Sequence, residues 1–247
     1  LIKNSAYMFH KLLMGKDLRK TKKTGTRPVL PLVRCQRIPQ LAENSRNGLE
    51  QIMSRIHQIA PEVATGKAQE LLTAVKGKLG LVPNMTRAMA NSPAVLEGYL
   101  GLSGSLSHGS LSAKTREQIA LAVGQANNCD YCLAAHSTIA KMVGLTAEQI
   151  LDSRRATAVD SKNEALLTFT RLLVDQRGRV TDGDLATLRS AGFDDGAIAE
   201  IVANVALNIF TNYFNHVAET DIDFPQVEPI VDHHEVCASI PGCDQTR

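Results

Sequence analysis

The chain has 247 residues, of which 44% are hydrophobic and 21% charged, enough to build one large or two small domains around a real core. Mean hydropathy is close to zero and no run approaches the roughly 20 apolar residues of a membrane helix, which excludes a membrane-integral, a collagen-like and a wholly disordered chain. Five cysteines are too few for a disulfide scaffold, and only Cys129 and Cys132 stand close enough to form a motif; a reducing, cytoplasmic setting is the default expectation.

The net charge of +2 conceals an asymmetry, because residues 1–40 hold ten Lys or Arg and one acid, and the remainder seventeen bases and twenty-four acids. Residues 1–40 are expected to form a basic, flexible arm. Its only aromatics are Tyr7 and Phe9, so no nucleic-acid partner is expected. A basic, acid-poor start also suits an organelle import segment or an upstream translated stretch, and composition does not separate these. Val29 to Val33 is the one β-branched cluster there, interrupted by Pro31 and preceded by Pro28, so it is not read as a strand.

Helix signals dominate from there on. Leu49, Ile52, Met53, Ile56 and Ile59 recur at three- and four-residue spacing and predict an amphipathic lead helix over 41–60, closed by Pro61. Further helices are predicted from about Gly66 to Lys78, Asn84 to Ala90 and Pro93 to Leu106, the last with Pro at a favoured first position. Ser112 is the expected N-cap of a helix to about Ala126, Asn127-Asn128 ends it, and a second helix fits Asp130 to Val143, stopped by Gly144. Thr146 with Gln149, and Ser161 with Glu164, read as capping boxes of two more. Another helix starts near Thr181, and a long one runs from about Asp195 to Val217. Its Ile198, Ile201, Val202, Val205, Ile209, Phe210, Tyr213 and Phe214 exceed one stripe, so it is expected to be buried on most sides, in the core or in an oligomer interface. The fold class is therefore all-α, with the folded domain at 61–225 and a polar tail at 226–247.

Cys129-Asp130-Tyr131-Cys132 sets two thiols at the spacing at which a turn entering a helix lets them join as a disulfide, and the unpaired N–H groups of a helix start favour a thiolate. His136 lies four residues beyond Cys132, on the same helical face. In a hairpin about Asn128, Glu117 and His136 differ in height by about 4 to 5 Å at 1.5 Å per residue, so carboxylate, imidazole and thiol can form a proton relay. Two other readings stand beside this one: half of a zinc site completed by His136 with His108 or His216, and a pair of ordinary buried cysteines. His216 could line the thiol pocket or sit hydrogen-bonded in the core. His233, His234, Cys237 and Cys243 match no standard metal-finger spacing, Cys35 reads as a lone loop thiol, and Gly101 to Gly104 lacks the strand and lysine of a phosphate loop.

The segment Glu117 to His136, with its Glu, two Cys and His in register around Asn-x-Cys-x-Tyr-Cys, resembles the signature of the AhpD-like alkylhydroperoxidases within the carboxymuconolactone decarboxylase family. Leu79 to Asn84 and Asn215 to Ala218 are similar to further segments of that group. The resemblance implies an AhpD-like all-helical domain assembling into trimers or hexamers, and hydroperoxide reduction by thiols with no metal or other cofactor. It assigns Glu117, Cys129, Cys132 and His136 to the relay and redox pair, and an external dithiol, a lipoylated or thioredoxin-type protein, as reductant. Where the best-known members carry a second His before the second Cys, this chain has Tyr131, an expected substrate-pocket residue along with His216. The decarboxylase branch generally lacks the CxxC pair, which argues against decarboxylation. Cys132 is expected to attack because it is the cysteine nearer His136, although Cys129, closer to the helix start, has a competing claim to the lower pKa.

Overall fold

The computed structural model describes residues 54–230, and among them every regular element is helical. The order is α1 (Gly66–Leu79), α2 (Asn84–Met89), α3 (Pro93–Ser107), α4 (Ala113–Ala126), α5 (Asp130–Met142), α6 (Ala147–Arg154), α7 (Ser161–Asp175), α8 (Asp182–Ser190) and α9 (Asp195–Ala218). The basic arm, residues 41–53 of the expected lead helix, Cys35, and the tail with His233, His234, Cys237 and Cys243 lie outside the described residues.

Most boundaries follow local chemistry. The Ser112 hydroxyl accepts the Thr115 N–H at the start of α4, and Thr146 with Gln149 and Thr181 with Asp184 close reciprocal capping boxes on α6 and α8. Gly144 follows α5 at φ 87°, a left-handed conformation that costs a residue with a Cβ far more. One cap differs from expectation. At α7 it is Asp160, not Ser161, whose carboxylate accepts the Asn163 N–H at 2.9 Å, while Glu164 turns back to the N–H of Ala158. Ser161 and Glu164 have the right spacing, but the chain enters the helix one residue earlier. Asp160→Ala should therefore cost about 1 kcal/mol in urea denaturation and Ser161→Ala nothing measurable. The Asn163 backbone N–H, foremost, holds the Asp160 carboxyl below the usual carboxylate range. Its contribution is thus complete at neutral pH and fades as pH falls through that lowered value.

Residues 54–60 are not helical, against the expected lead helix. They bend at 55–56 and lead to Pro61, which disfavours helical backbone at the residue before it, and they are held from outside. Arg55 N–H donates to the Ala218 carbonyl at 2.7 Å and Ile59 N–H to the Arg87 carbonyl at 3.2 Å.

The central helix is α4, with Gln118 through Gly124 all buried. It packs on α5, α6, α7 and α9. Its Ala-Leu-Ala-Val-Gly run is small enough to admit neighbours on every side. One apolar cluster lies between α4, α7, α8 and α9, around Ile119, Leu166, Phe169, Leu188 and Ile201; a second, around Leu72, Met89 and Leu96, encloses Cys129, Tyr131 and Cys132.

Within the protomer α9 buries one face. Its inner stripe carries buried Asn204, Asn208, Asn212 and Asn215 beside Ile201 and Val205, while Phe210, Tyr213 and Val217 are 40%, 58% and 65% exposed. By length and composition α9 is also apolar enough to cross a membrane, which the sequence reading did not anticipate. In this structure its asparagine face packs inward.

Beyond α9 the chain turns at Glu219, φ 45°, and residues 219–230 form a strap past the expected domain end at 225. Asp221 accepts from the Gln58 amide at 3.0 Å and Asp223 from the Asn84 N–H at 2.8 Å. Val227 packs on the α4–α5–α6 cluster, and buried Arg154 donates to the Glu228 carbonyl at 3.0 Å.

Candidate active site

The turn between α4 and α5 is built for two sulfurs at a helix start. Asn128 takes φ 52°, a left-handed turn that Asn tolerates better than most residues, and the Cys129 N–H returns to the Gly124 carbonyl at 2.9 Å. Cys129 is then the N-cap of α5, its Sγ accepting the Cys132 N–H at 3.4 Å. The two cysteines are joined as a disulfide with Cα atoms 5.3 Å apart, and both are buried.

Glu117 and His136 meet across the same hairpin. His136 Nδ1 lies 2.8 Å from Glu117 Oε2 with side chains 23% and 15% exposed; the contact is direct. A carboxylate at Nδ1 holds the ring proton there and leaves Nε2 as the basic nitrogen. In this disulfide form, among the described residues, the sulfurs take hydrogen bonds from the Cys132 N–H and from Asn215, not from His136. Glu117 lies beyond the first turn of α4, which holds no acid, so a macrodipole role at the helix start does not account for its position.

Tyr131 is not placed as an open pocket residue. It is buried, accepts the Met85 N–H at 3.2 Å, donates to Asp223 Oδ1 at 2.8 Å and meets Phe224 edge-on at 5.8 Å. Burial first, then the Asp223 charge, pushes its phenol far up, against the Met85 hydrogen bond, so it stays neutral and anchors the strap to the turn that carries Cys129 and Cys132. His216 is exposed on α9 and neither lines the thiols nor sits in the core, because the helix turns the adjacent Asn215 inward instead. His108 is exposed after α3. Among the described residues no three His, Cys, Asp or Glu side chains converge as a metal site.

Two residues enter the site that the sequence reading did not single out. Asn215 Nδ2 donates to Cys132 Sγ and to Met85 Sδ, each at 3.3 Å. Tyr99 of α3 is partly buried beside the same cluster, and burial, followed by the Glu117 charge, raises its phenol to about 12. Only Asn215 carried a signal, as the neighbour of His216 in the segment similar to the AhpD-like group; Tyr99 carried none.

The sequence model of the carboxymuconolactone decarboxylase family matches residues 93–175, from the first residue of α3 to the last of α7 and across Glu117, Cys129, Cys132 and His136. No curated protein matches the chain. Among solved structures, the chain is similar to an uncharacterized peroxidase-related protein from Ralstonia eutropha JMP134, described as an alkylhydroperoxidase AhpD core. Identity there is 24%, TM-score 0.62, over 69% of this chain and 93% of that one. A peroxidase-related protein from Silicibacter sp. TM1040 gives 23% and 0.61 over 70% and 95%. A cysteine-to-alanine variant of the debrominase Bmp8, in complex with 2,3,4-tribromopyrrole, gives 18% and 0.60 over 73% and 94%. At these identities the likeness shows a shared fold. The chain therefore has the AhpD-like all-helical fold, and within it residues 93–175 match the model of the carboxymuconolactone decarboxylase family.

Proposed function

We propose that the protein is a thiol-dependent hydroperoxide reductase. The observation that carries this reading is the Cys129–Cys132 disulfide at the start of α5, with the Glu117–His136 pair one turn along the same hairpin. In the reduced enzyme the Cys132 thiolate attacks the terminal peroxide oxygen. The O–O bond breaks, the hydroxyl stays on sulfur as a sulfenic acid, and the leaving alkoxide takes the proton that His136 accepted from the thiol. Cys129 then gives up its thiol proton and attacks the sulfenic sulfur; the hydroxide leaves with that proton as water and the disulfide forms. An external dithiol, lipoylated or of thioredoxin type, restores both thiols by exchange and ends as a disulfide itself. Glu117 orients His136 and stabilises the positive charge that the ring carries between the two proton transfers.

The test is mass spectrometry of the reduced protein after one equivalent of alkyl hydroperoxide, with peroxide consumption followed over a panel of dithiols. A 129–132 link formed in step with peroxide loss supports the reading. Turnover of a cyclic lactone acid that survives Cys132→Ser would replace it with a lyase.

The active form is expected to be a homo-oligomer, a trimer or hexamer. Phe210 and Leu102 flank an apolar groove of about 300 Å³ between α3 and α9, lined also by Val95, Tyr99 and Leu207. Exposed Tyr213 and Val217 lie farther along α9. Faces of this kind call for a partner surface. Light scattering at micromolar concentration should give a multiple of the chain mass; a folded monomer would refute the assembly.

A further inference from the structure

The inner face of α9 uses four asparagines, and they divide by what they hold. Asn204 and Asn208 donate back to carbonyls of their own helix, both at 2.8 Å, and the Asn212 oxygen accepts from Asn127 at 2.9 Å. Asn215 does neither. Its Nδ2 is directed at two sulfurs, Met85 Sδ and Cys132 Sγ, each at 3.3 Å, while its Oδ1 is buried with no hydrogen-bond partner among the described residues.

We propose that Asn215 is a catalytic residue that sets the reactivity of Cys132 by donating its amide N–H to that sulfur. The inference rests on Cys132 being the attacking thiol. Sulfur in a disulfide, thiol or thioether is a weak acceptor, so an amide aimed at two of them gains little in the oxidised protein. A thiolate is different: the same N–H then makes a charge-assisted hydrogen bond, which is substantially stronger. Met85 never acquires that charge and Cys132 does.

The unpaired oxygen argues the same way. A buried amide with half its polar capacity unmet lowers stability, and leucine at this site would remove that cost. Packing alone therefore gives no reason for asparagine. The other groups around Cys132 are already engaged or of the wrong kind. Glu117 of α4 holds His136, which lies four residues along α5, and the Tyr131 hydroxyl is taken by Met85 N–H and Asp223 of the strap. Tyr99 of α3 stays neutral, and His216 on α9 is exposed. The two sulfurs are thus served differently. Cys129 receives a main-chain N–H that no substitution short of proline removes, whereas Cys132 depends on a side chain from the far end of the fold.

The test isolates Cys132 in reduced Cys129→Ser protein and follows its alkylation by iodoacetamide against pH. Adding Asn215→Leu should raise the midpoint by about one pH unit, a roughly tenfold slower reaction well below the midpoint. The plateau at high pH should stay the same, and the unfolding temperature should be unchanged or higher. Asn215→Asp, nearly isosteric and anionic, should raise the midpoint further. In the reduced protein with native Asn215, the amide ¹⁵N–¹H signals should titrate with the Cys132 midpoint and lose that step in Cys132→Ser. This last measurement decides the matter even where a variant fails to fold. An unshifted midpoint in Asn215→Leu, or an amide that does not sense the thiol, would overturn the proposal. No peroxide enters these experiments, so an enzyme that fails to turn over peroxide but shows the shift would separate the role of Asn215 from the proposed activity.

Discussion

Cys132→Ser should abolish peroxide consumption, by about 10⁴-fold or more, and leave the fold in place. Loss of a nucleophile commonly has effects of that size, because serine is a far weaker nucleophile near neutral pH and cannot carry the sulfur oxidation states of the cycle. Cys129→Ser should behave differently, consuming one peroxide per chain and stalling with a sulfenic acid on Cys132. The geometry gives each sulfur one donor: the helix N–H for Cys129 at 3.4 Å and Asn215 for Cys132 at 3.3 Å. Helix-start position alone would favour Cys129 as the low-pKa thiol. Cys132 is preferred because His136 follows it by one turn and can remove its proton. A sulfenic-acid probe applied to both single variants after one peroxide equivalent decides the order, and labelling at Cys129 in Cys132→Ser would exchange the two roles.

The second large effect is expected at Glu117. Glu117→Gln should slow oxidation of the reduced thiol pair by about 10²-fold in stopped-flow measurement, the usual scale of a general acid–base contribution, with stability changed by under about 1 kcal/mol. Gln preserves the shape and can still accept from His136 Nδ1, but it removes the negative charge facing the ring when the thiol proton arrives. Its amide can also present N–H to Nδ1 and so favour the tautomer in which Nε2 is no longer basic. Unchanged kinetics would reduce the 2.8 Å contact to a structural tie between α4 and α5.

The hairpin carrying the four residues was legible because its signals are local. Ser112, Asn127-Asn128 and Gly144 mark ends that depend only on backbone chemistry within a few residues, and counting residues from Asn128 places Glu117 near His136. The misreadings have tertiary causes. Ser161-x-x-Glu164 satisfies a capping pattern, but so does the aspartate one residue earlier. Residues 54–60 have helical spacing, but their N–H groups at Arg55 and Ile59 are taken by the Ala218 and Arg87 carbonyls. On α9 the apolar residues drew attention to a face that is partly exposed within the protomer, because the buried asparagines of its inner stripe look polar in sequence. Asn215 and Tyr99 escape notice for a related reason, since no local pattern announces a sulfur 83 residues away or a carboxylate 18 residues away.

Tyr131 ties the strap to the cysteine pair. It stands between the two cysteines in sequence, and its hydroxyl is one of the bonds that dock the strap through Asp223. If docking of residues 219–230 differs between the dithiol and disulfide forms, docking and the oxidation state of the pair are thermodynamically linked, and linkage is reciprocal. Whatever factor separates the strap's docking constants in the dithiol and disulfide forms must reappear in the reduction potential, at about 30 mV for each tenfold in this two-electron couple. A strap that docks more tightly on the disulfide makes the protein harder to reduce, and one that docks more tightly on the dithiol makes it a stronger oxidant. A ligand that captured the strap would then shift the balance between this pair and any dithiol it exchanges with, without touching either sulfur.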